Sequence, residues 1–192
     1  CALPICDGVL GEETDLLCGC RAGDEESFRK LIRMYQGRIF NTVLRLIGPK
    51  EAGDVTQEVF LRIWRNIKNF RGEASLSTWI YRITVNTSRD YWRRTKRSVQ
   101  HVSYEDAERL ADDNPAIETK IQKEELQKEI QRAIMAMAAP LREVLVLREL
   151  QGLSYRDVAR IVKIPVGTVK SRLARGRQEF KRICEERGVG LD

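Results

Sequence analysis

The sequence has few of the residues from which enzyme active sites and metal centres are usually built. It contains one histidine, His101, among 192 residues, and its five cysteines lack the regular spacing of a disulfide framework. Cys18-Gly-Cys20 hints at a metal site, but no second pair of cysteines or histidines stands at zinc-site spacing. A phosphate-binding loop of the G-x-x-x-x-G-K type and a clear pair of catalytic carboxylates are also missing. We therefore expect no catalytic residue, no metal and no cofactor, and we expect the cysteines to be small buried thiols in a reducing cytoplasm.

Long apolar runs and strand patterns are absent as well. No run of 18 apolar residues is present, which argues against a membrane span, and the start of the chain lacks the basic and apolar regions of a signal peptide. We expect residues 1–13 to be a leader or an added segment without fixed structure. Beyond them, apolar residues recur at threes and fours, which predicts an all-α fold. The length allows two small helical domains, over residues 14–98 and 119–187.

The helical repeat also predicts individual helices and their inner sides. A long helix is expected to start at Asp24 and to end at Gly48-Pro49, with an apolar side formed by Phe28, Leu31, Ile32, Tyr35, Ile39, Val43 and Leu46. On the helix after the Phe70 loop, the residues expected to face inward are Leu76, Trp79, Ile80, Ile83 and Thr87. In the C-terminal domain, a helix that ends at Pro140 is expected to turn inward Leu126, Ile130, Ile134 and Met137, and the next segment Leu141, Val144, Leu145 and Leu150.

An acidic segment separates these two domains, at residues 99–118. Six acids there oppose Arg109 alone, apolar residues are few, and the segment contains Asn114-Pro115. This composition is typical of a chain that does not fold by itself. We expect an acidic flexible linker that either imitates a nucleic-acid strand through its carboxylates or serves as a solvated tether.

The most specific pattern is a pair of short helices between Gly152 and Arg177. Ser154 can cap the first helix, with Asp157 as its partner, and Pro165 suits the first position of the second helix. On the second helix, five residues fall on one side at spacings of four, three, four and three: Val169, Leu173, Gly176, Phe180 and Ile183. This pattern predicts a helix-turn-helix within a C-terminal unit of four helices.

The other side of the second helix is cationic. Between Arg160 and Arg182 there are eight lysines and arginines against Glu179 alone. A helix that is merely solvated usually mixes charges of both signs, because opposite charges one turn apart stabilise it. We therefore favour insertion of this face into a DNA major groove over a solvated amphipathic helix. The net charge of +6 agrees with an anionic partner.

In the N-terminal domain, the helix predicted over Glu51 to Asn69 has a mixed outer face. Val55, Val59 and Ile63 share the inner side. The outer side combines polar and apolar residues: Asp54, Gln57, Glu58, Leu61, Arg62 and Arg65, with Phe60 at the boundary. Such a mixture can mark a partner surface. An ordinary surface helix fits the pattern equally well.

The loop from Phe70 to Ser75 precedes a helix with a basic stripe, and Ser75 or Ser77 can cap this helix. The stripe repeats at four, three, four and three: Arg82, Asn86, Arg89, Arg93 and Lys96. Tyr91 and Trp92 are interleaved with it. Basic side chains beside aromatic rings suit a single strand, because the charges follow the backbone while the rings stack on bases. Tyr91 and Trp92 could equally serve the core.

These segments, in this order, resemble the sigma factors of bacterial RNA polymerase, in the extracytoplasmic-function group and of the sigma-E type. The resemblance extends from Asp15 to Ile183. The segments that carry it are Asp54–Phe60, Phe70–Gly72, Thr78–Thr87, Leu147–Tyr155 and Pro165–Arg172. It implies a bacterial cytoplasmic initiation factor that binds core polymerase at its clamp coiled coil and flap, binds promoter DNA as duplex and as melted single strand, and is sequestered by an anti-sigma factor.

The resemblance also implies which residues form each surface. The core-polymerase site would be Asp54, Gln57, Glu58, Phe60 and Leu61. The minus-ten site, which captures a base flipped from the melted strand, would be Phe70, Arg71, Ser75, Ser77, Arg82, Asn86, Arg89 and Arg93. The minus-thirty-five site would be Thr168, Lys170, Ser171, Arg172, Ala174, Arg175 and Gln178.

Two positions on the second helix depart from the sigma-E pattern. Ala174 stands where sigma-E has an aromatic residue, and Lys170 replaces an arginine, which exchanges a bidentate fork for a point charge. The main alternative function is a stand-alone helix-turn-helix regulator without a polymerase role. That alternative leaves the Phe70 loop and the Arg82 stripe unexplained, and it would normally need a dimer for two half-sites.

Overall fold

The computed structural model of the chain describes residues 12–98 and 115–189. Over these ranges it contains α-helices and no strand, so the predicted all-α fold is confirmed, and no helix there is long and apolar enough to cross a membrane. The predicted linker lies outside the described residues except at its end, as does most of the predicted leader. The helices are α1 (Glu12–Ala22), α2 (Glu25–Ile47), α3 (Ala52–Asn66), α4 (Leu76–Ser98), α5 (Pro115–Ala136), α6 (Ala139–Leu145), α7 (Tyr155–Val162) and α8 (Val166–Glu186).

The N-terminal domain consists of α1 to α4, and α2 packs against the other three. α2 begins after Asp24, whose carboxylate accepts a hydrogen bond from the Ser27 N–H at 2.8 Å. It ends before Gly48, whose φ of 99° lies in a region that glycine adopts without strain. Both ends are as predicted. The buried side of α2 includes Leu31, Tyr35, Ile39, Val43 and Leu46, which also matches the prediction.

The C-terminal domain consists of α5 to α8, the four-helix unit predicted from the sequence. Its first helix begins at Pro115, inside the predicted linker, because proline is well tolerated in the first turn of a helix. Pro140 was predicted to end this helix but lies in the first turn of α6. Leu126 was predicted to face inward but is 45% exposed, since the packed part of α5 begins one turn later at Ile130.

A π-helical turn at Val146–Leu150 joins α6 to the helix-turn-helix. A π-turn holds more residues than an α-turn, so the residues after it no longer follow the α-helical repeat. Val146 and Leu147 are therefore buried, whereas Leu150, predicted to face inward, is 50% exposed. Arg148 ties the turn to the next segment, because its Nη1 donates to the Leu153 carbonyl at 2.7 Å.

The two domains contact each other through α4 and α7 and through α2 and α5. α4 also packs on α2 and α3, and it is buried on more than the side that the sequence predicted. Leu76, Trp79 and Ile80 are buried as expected. Five further residues of α4 are also buried, and none of them was predicted: Thr78, Tyr81, Thr84, Val85 and Ser88.

Two of the cysteines lie in the cores of the domains. Cys20 on α1 and Cys184 on α8 are fully buried, as expected for small thiols. Burial raises the pKa of both thiols, which keeps them protonated and unreactive near neutral pH. Cys18, also expected to be buried, is only partly so.

Candidate polymerase and nucleic-acid interfaces

The helix-turn-helix is formed by α7 and α8, and the turn between them is set by local chemistry. Ser154 Oγ accepts a hydrogen bond from the Asp157 N–H at 3.1 Å and donates to Asp157 Oδ2 at 2.5 Å, so the predicted cap is confirmed. α7 ends at Lys163, which adopts a left-handed φ of 58°. Pro165 lies immediately before the first residue of α8 rather than at that first position.

The inner side of α8 packs as the spacing predicted. Val169, Leu173, Gly176 and Ile183 are buried, and Phe180 is partly buried against the core. A Cβ added at Gly176 would lie 3.4 Å from the Leu141 carbonyl oxygen of α6. A methyl group at this position would therefore meet α6 at about ordinary van der Waals distance.

The outer side of α8 carries the candidate minus-thirty-five residues. Five of the seven are exposed, namely Lys170, Ser171, Ala174, Arg175 and Gln178, and the other two, Thr168 and Arg172, are half-buried. Lys170 Nζ lies 5.9 Å from the centre of the Tyr155 ring. The neighbouring Arg177, which is not among these seven residues, donates to Glu149 Oε1 at 2.6 Å. The exposed cationic surface of α8 thus includes Lys170 and Arg175, while Arg177 is engaged within the domain.

The outer side of α3 carries the candidate core-polymerase residues. Asp54, Gln57 and Leu61 are exposed, and Glu58 and Phe60 are half-buried. Leu61 is an apolar side chain with 48% exposure, so the outer face of α3 combines polar and apolar groups as the sequence predicted.

Sequence reasoning missed Trp64, which extends the same face. Trp64 is 37% exposed, and its ring packs edge-on against Phe28 of α2, with ring centres 4.6 Å apart. The signal was available, because Trp64 follows Leu61 by three residues and so shares its side of the helix. The mixed face of α3 therefore runs from Asp54 to Trp64.

A charged network joins α3 to α4. Arg62 Nε donates to Glu58 Oε1 and Arg62 Nη1 donates to Asp90 Oδ2, both at 2.8 Å. Asp90 Oδ1 also accepts from Arg93 Nη2 at 2.6 Å. The hydrogen bond from Arg62 holds the pKa of the Asp90 carboxyl below its usual range. The candidate core-binding helix and the candidate DNA-binding helix are thus linked by ion pairs.

In the loop before α4, some of the predicted site residues are accessible to solvent and one is buried. Arg71 and Ser75 are exposed and Ser77 is half-buried. Phe70, expected to contact the single strand, is only 6% exposed, because it packs on Trp79 with ring centres 5.4 Å apart. Ser75 is the capping residue, since its Oγ accepts from the Thr78 N–H at 3.2 Å.

The basic stripe of α4 is partly exposed. Arg82 and Arg93 are exposed, and Asn86 and Arg89 are half-buried. Arg89 forms a bidentate pair with Glu143 of α6, with Nε–Oε1 of 2.8 Å and Nη2–Oε2 of 2.6 Å, and these bonds raise the pKa of the guanidinium. The half-buried Trp92 donates its indole N–H to the Leu46 carbonyl at 3.1 Å, which favours a packing role over stacking on bases.

Two family models match the chain in the two domains that carry these surfaces. The model of sigma-70 region 2 matches residues 31–98, and the model of sigma-70 region 4 matches residues 127–180. The first match includes α3, the loop and α4. The second includes the helix-turn-helix through most of α8.

Individual relatives and a solved structure agree with these matches. The chain is 34% identical to the RNA polymerase sigma-H factor of Pseudomonas aeruginosa over 187 residues, which covers 92% of this chain and 97% of that protein. It is 37% identical to the extracytoplasmic-function sigma-E factor of Haemophilus influenzae over 165 residues, with 81% and 86% covered. The sigma factor RpoE of Bartonella quintana, solved with the anti-sigma factor NepR, has a similar fold, with a TM-score of 0.65, 20% identity, and coverage of 83% and 98%.

Proposed function

Since the chain belongs to the sigma-70 family of RNA polymerase sigma factors, in the extracytoplasmic-function group, it directs transcription initiation, and we propose that three of its surfaces divide this task. The outer face of α3 binds core polymerase, the loop and stripe of α4 bind the melted minus-ten strand, and the outer face of α8 binds the minus-thirty-five duplex. The observation that carries the proposal is the exposure of Lys170 and Arg175 on a capped helix-turn-helix, apart from the mixed face of α3.

The outer face of α3 is the proposed binding site for core polymerase. The exposed carboxylate of Asp54 and the apolar side chain of Leu61 offer the two kinds of contact that protein interfaces combine. By its resemblance to the sigma-E helix, we propose that α3 binds the clamp coiled coil of the polymerase, and that the chain also contacts the flap. Trp64 adds an aromatic anchor of the type enriched in interface hot spots.

The loop from Phe70 to Ser75 and the stripe of α4 are the proposed binding site for the melted minus-ten element. Arg71 and Arg82 are exposed for contact with phosphates, while the half-buried Asn86 can donate and accept hydrogen bonds at a flipped base. Flipping costs a few kcal/mol, which bonds in the pocket must offset, so the pocket selects the base. The polymerase forms the phosphodiester bonds, and this chain therefore needs no catalytic group of its own.

The outer face of α8 is the proposed binding site for the minus-thirty-five duplex, and Arg172 and Arg175 make different contacts there. Arg175 is exposed opposite the buried Leu173 side and contacts a base edge, whereas the half-buried Arg172 lies on the flank and contacts phosphate. A base contact carries sequence information, and a phosphate contact sets position and register.

Replacing Arg175 with alanine is expected to relax base choice at one upstream position, with a loss of about 1–3 kcal/mol against the preferred base. Arg172→Ala should weaken all promoters alike and lower the salt slope by about one unit. Run-off transcription with purified core enzyme on a randomised promoter library, at several salt concentrations, measures both effects.

Arg29→Ala is the matched control, because Arg29 lies on α2 and pairs with Glu25 and Glu26 on the surface. It should alter neither base preference nor salt slope. Unchanged upstream preference in Arg175→Ala would contradict the assignment of α8 to the minus-thirty-five element.

We further propose that the chain acts in the bacterial cytoplasm, where core polymerase and promoters are found, and that an anti-sigma factor sequesters it. The resemblance to sigma-E supports the second point, as does the similar fold of the Bartonella quintana factor, which was solved with NepR. Affinity capture from unstressed native cells tests it. Recovery of core enzyme without such a protein would count against it.

A further inference from the structure

Tyr155 lies at the centre of a group of basic side chains in the helix-turn-helix. It is the first residue of α7, directly after the capping residue Ser154. Its side chain is half-buried and packs against the core. Three basic residues surround it, one from the π-turn before α7 and two from α8: Arg148, Lys170 and Arg177.

Arg148 holds the Tyr155 ring in place. Its guanidinium carbon lies over the ring, 4.7 Å from the ring centre, which is within the range of a cation–π contact. The same guanidinium donates from Nη1 to the Leu153 carbonyl at 2.7 Å, so it is tied to the backbone just before α7. The ring therefore has a defined position beside the first turn of α7.

Lys170 approaches the same ring from α8. Its Nζ lies 5.9 Å from the ring centre, at the outer limit of a cation–π contact, and the residue is exposed. Arg177 lies on the same side of α8 and interacts electrostatically with Tyr155, but its guanidinium is engaged by Glu149 at 2.6 Å. Lys170 is thus placed against the ring while its charge stays available to DNA.

A lysine at a DNA-reading position needs such a support more than an arginine does. An arginine presents a planar fork of donors that fits the two acceptors of a guanine edge, whereas a lysine presents a point charge on a flexible four-carbon chain. A charge that swings freely meets phosphates as well as bases, and contacts with phosphates carry no sequence information. A side chain that is already restricted loses less entropy on binding and meets one base edge.

We propose that Tyr155 is a positioning residue of the minus-thirty-five site, and that its ring directs the ammonium group of Lys170 to one base edge in the major groove. The inference rests on the proposed binding of α8 to the upstream duplex. Tyr155 acts through Lys170 and does not itself contact the base. Sequence choice at this position therefore depends on a residue of α7 as well as on the outer face of α8.

Two substitutions separate the ring from the hydroxyl. Tyr155→Leu removes the ring and keeps an apolar side chain, whereas Tyr155→Phe keeps the ring. Run-off transcription with core enzyme on the randomised promoter library gives the preference of each variant at every upstream position. Lys170→Ala identifies the position that Lys170 reads, by a loss of about fivefold or more in preference there. We expect Tyr155→Leu to lose about two- to fivefold at the same position, which is the range of an exposed cation–π contact, and Tyr155→Phe to keep the wild-type preference.

Three comparisons distinguish positioning from a general structural effect. In Tyr155→Leu, preference at the position read by Arg175 should stay at the wild-type level. The double variant Tyr155→Leu with Lys170→Ala should match Lys170→Ala alone, because residues that act through one contact are not additive. Phe180→Leu is the matched control, since it removes a partly buried ring from α8, and it should change neither preference.

NMR of the free full-length chain with ¹³C-labelled lysine measures the contact itself. Protons over the face of an aromatic ring resonate upfield because of the ring current. The ε-methylene signal of Lys170, identified by its absence in Lys170→Ala, should lie upfield of the signals of other exposed lysines in the wild type and in Tyr155→Phe. In Tyr155→Leu it should return to the position of the other signals.

The proposal is overturned if Tyr155→Leu leaves preference at the Lys170 position unchanged, if Tyr155→Phe loses as much as Tyr155→Leu, or if the upfield shift is absent. An equal loss at the Arg175 position also overturns it, because that result shows a general disturbance of the helix-turn-helix. If Lys170→Ala and Arg175→Ala both leave every upstream preference unchanged, the proposed role of α8 fails, and the positioning role fails with it. A loss in Lys170→Ala with none in Tyr155→Leu rejects the positioning role alone.

Discussion

Reversal of charge on the outer face of α3 is expected to weaken binding to core polymerase about tenfold or more, because a charge that meets its partner would become a repulsive one. Glu58→Lys tests this at the centre of the face. Glu58 also accepts a hydrogen bond from Arg62, so a lysine there would oppose Arg62 within the chain as well. Asp54→Lys is the cleaner second variant, since Asp54 is exposed.

Titration of labelled core enzyme measures this affinity, and circular dichroism shows that the variants remain helical. Glu185→Lys provides the matched control, because Glu185 is 63% exposed at the end of α8, in the domain that does not contain α3. It should bind core enzyme like the wild type. If Asp54→Lys and Glu58→Lys also bind like the wild type, α3 is not the docking helix.

Asn86→Ala should impair promoter melting while sparing upstream binding. Its amide is expected to bond a base that is accessible only when unpaired, and the loss of such a bond typically costs about 1–3 kcal/mol. The equilibrium for opening should therefore shift about tenfold toward the closed promoter complex. Permanganate footprinting of the complex with core enzyme detects the unpaired thymines directly.

Two variants serve as controls for this result. Asn41→Ala removes an exposed asparagine from α2 and should melt DNA normally. Arg175→Ala should still melt a promoter that has a strong downstream element, because its contact lies in the upstream duplex. Normal melting by Asn86→Ala would show that this side chain does not line the pocket for the flipped base.

The helix-turn-helix could be predicted in detail because its signals are local. Ser154 and Asp157 lie three residues apart, and the cap they form depends on nothing else in the chain. The buried side of α8 follows from the helical repeat, with Val169 and Leu173 inward and Arg175 outward. Local chemistry of this kind is present in the sequence before any tertiary contact forms.

The contacts of α4 could not be predicted in the same way. Arg89 and Glu143 are 54 residues apart, and nothing in the spacing of either helix indicates that they meet. Thr78 and Tyr81 are covered by the C-terminal domain, to which both side chains are hydrogen-bonded. The helical repeat of α4 identifies only the side that packs within the N-terminal domain, so it does not predict their burial. The prediction that Leu150 faces inward was wrong for another reason. It assumed an unbroken α-helical repeat, which the π-turn at Val146–Leu150 interrupts.

Promoter binding with and without core polymerase tests the account most directly. A promoter selected from the run-off library is labelled, and its binding to the full-length chain is measured by fluorescence anisotropy alone and with core enzyme. The account predicts selective binding and permanganate-reactive thymines only when core enzyme is present. Equally tight and selective binding by the chain alone, with no unpaired thymines when core enzyme is added, would contradict it and would favour a stand-alone helix-turn-helix regulator.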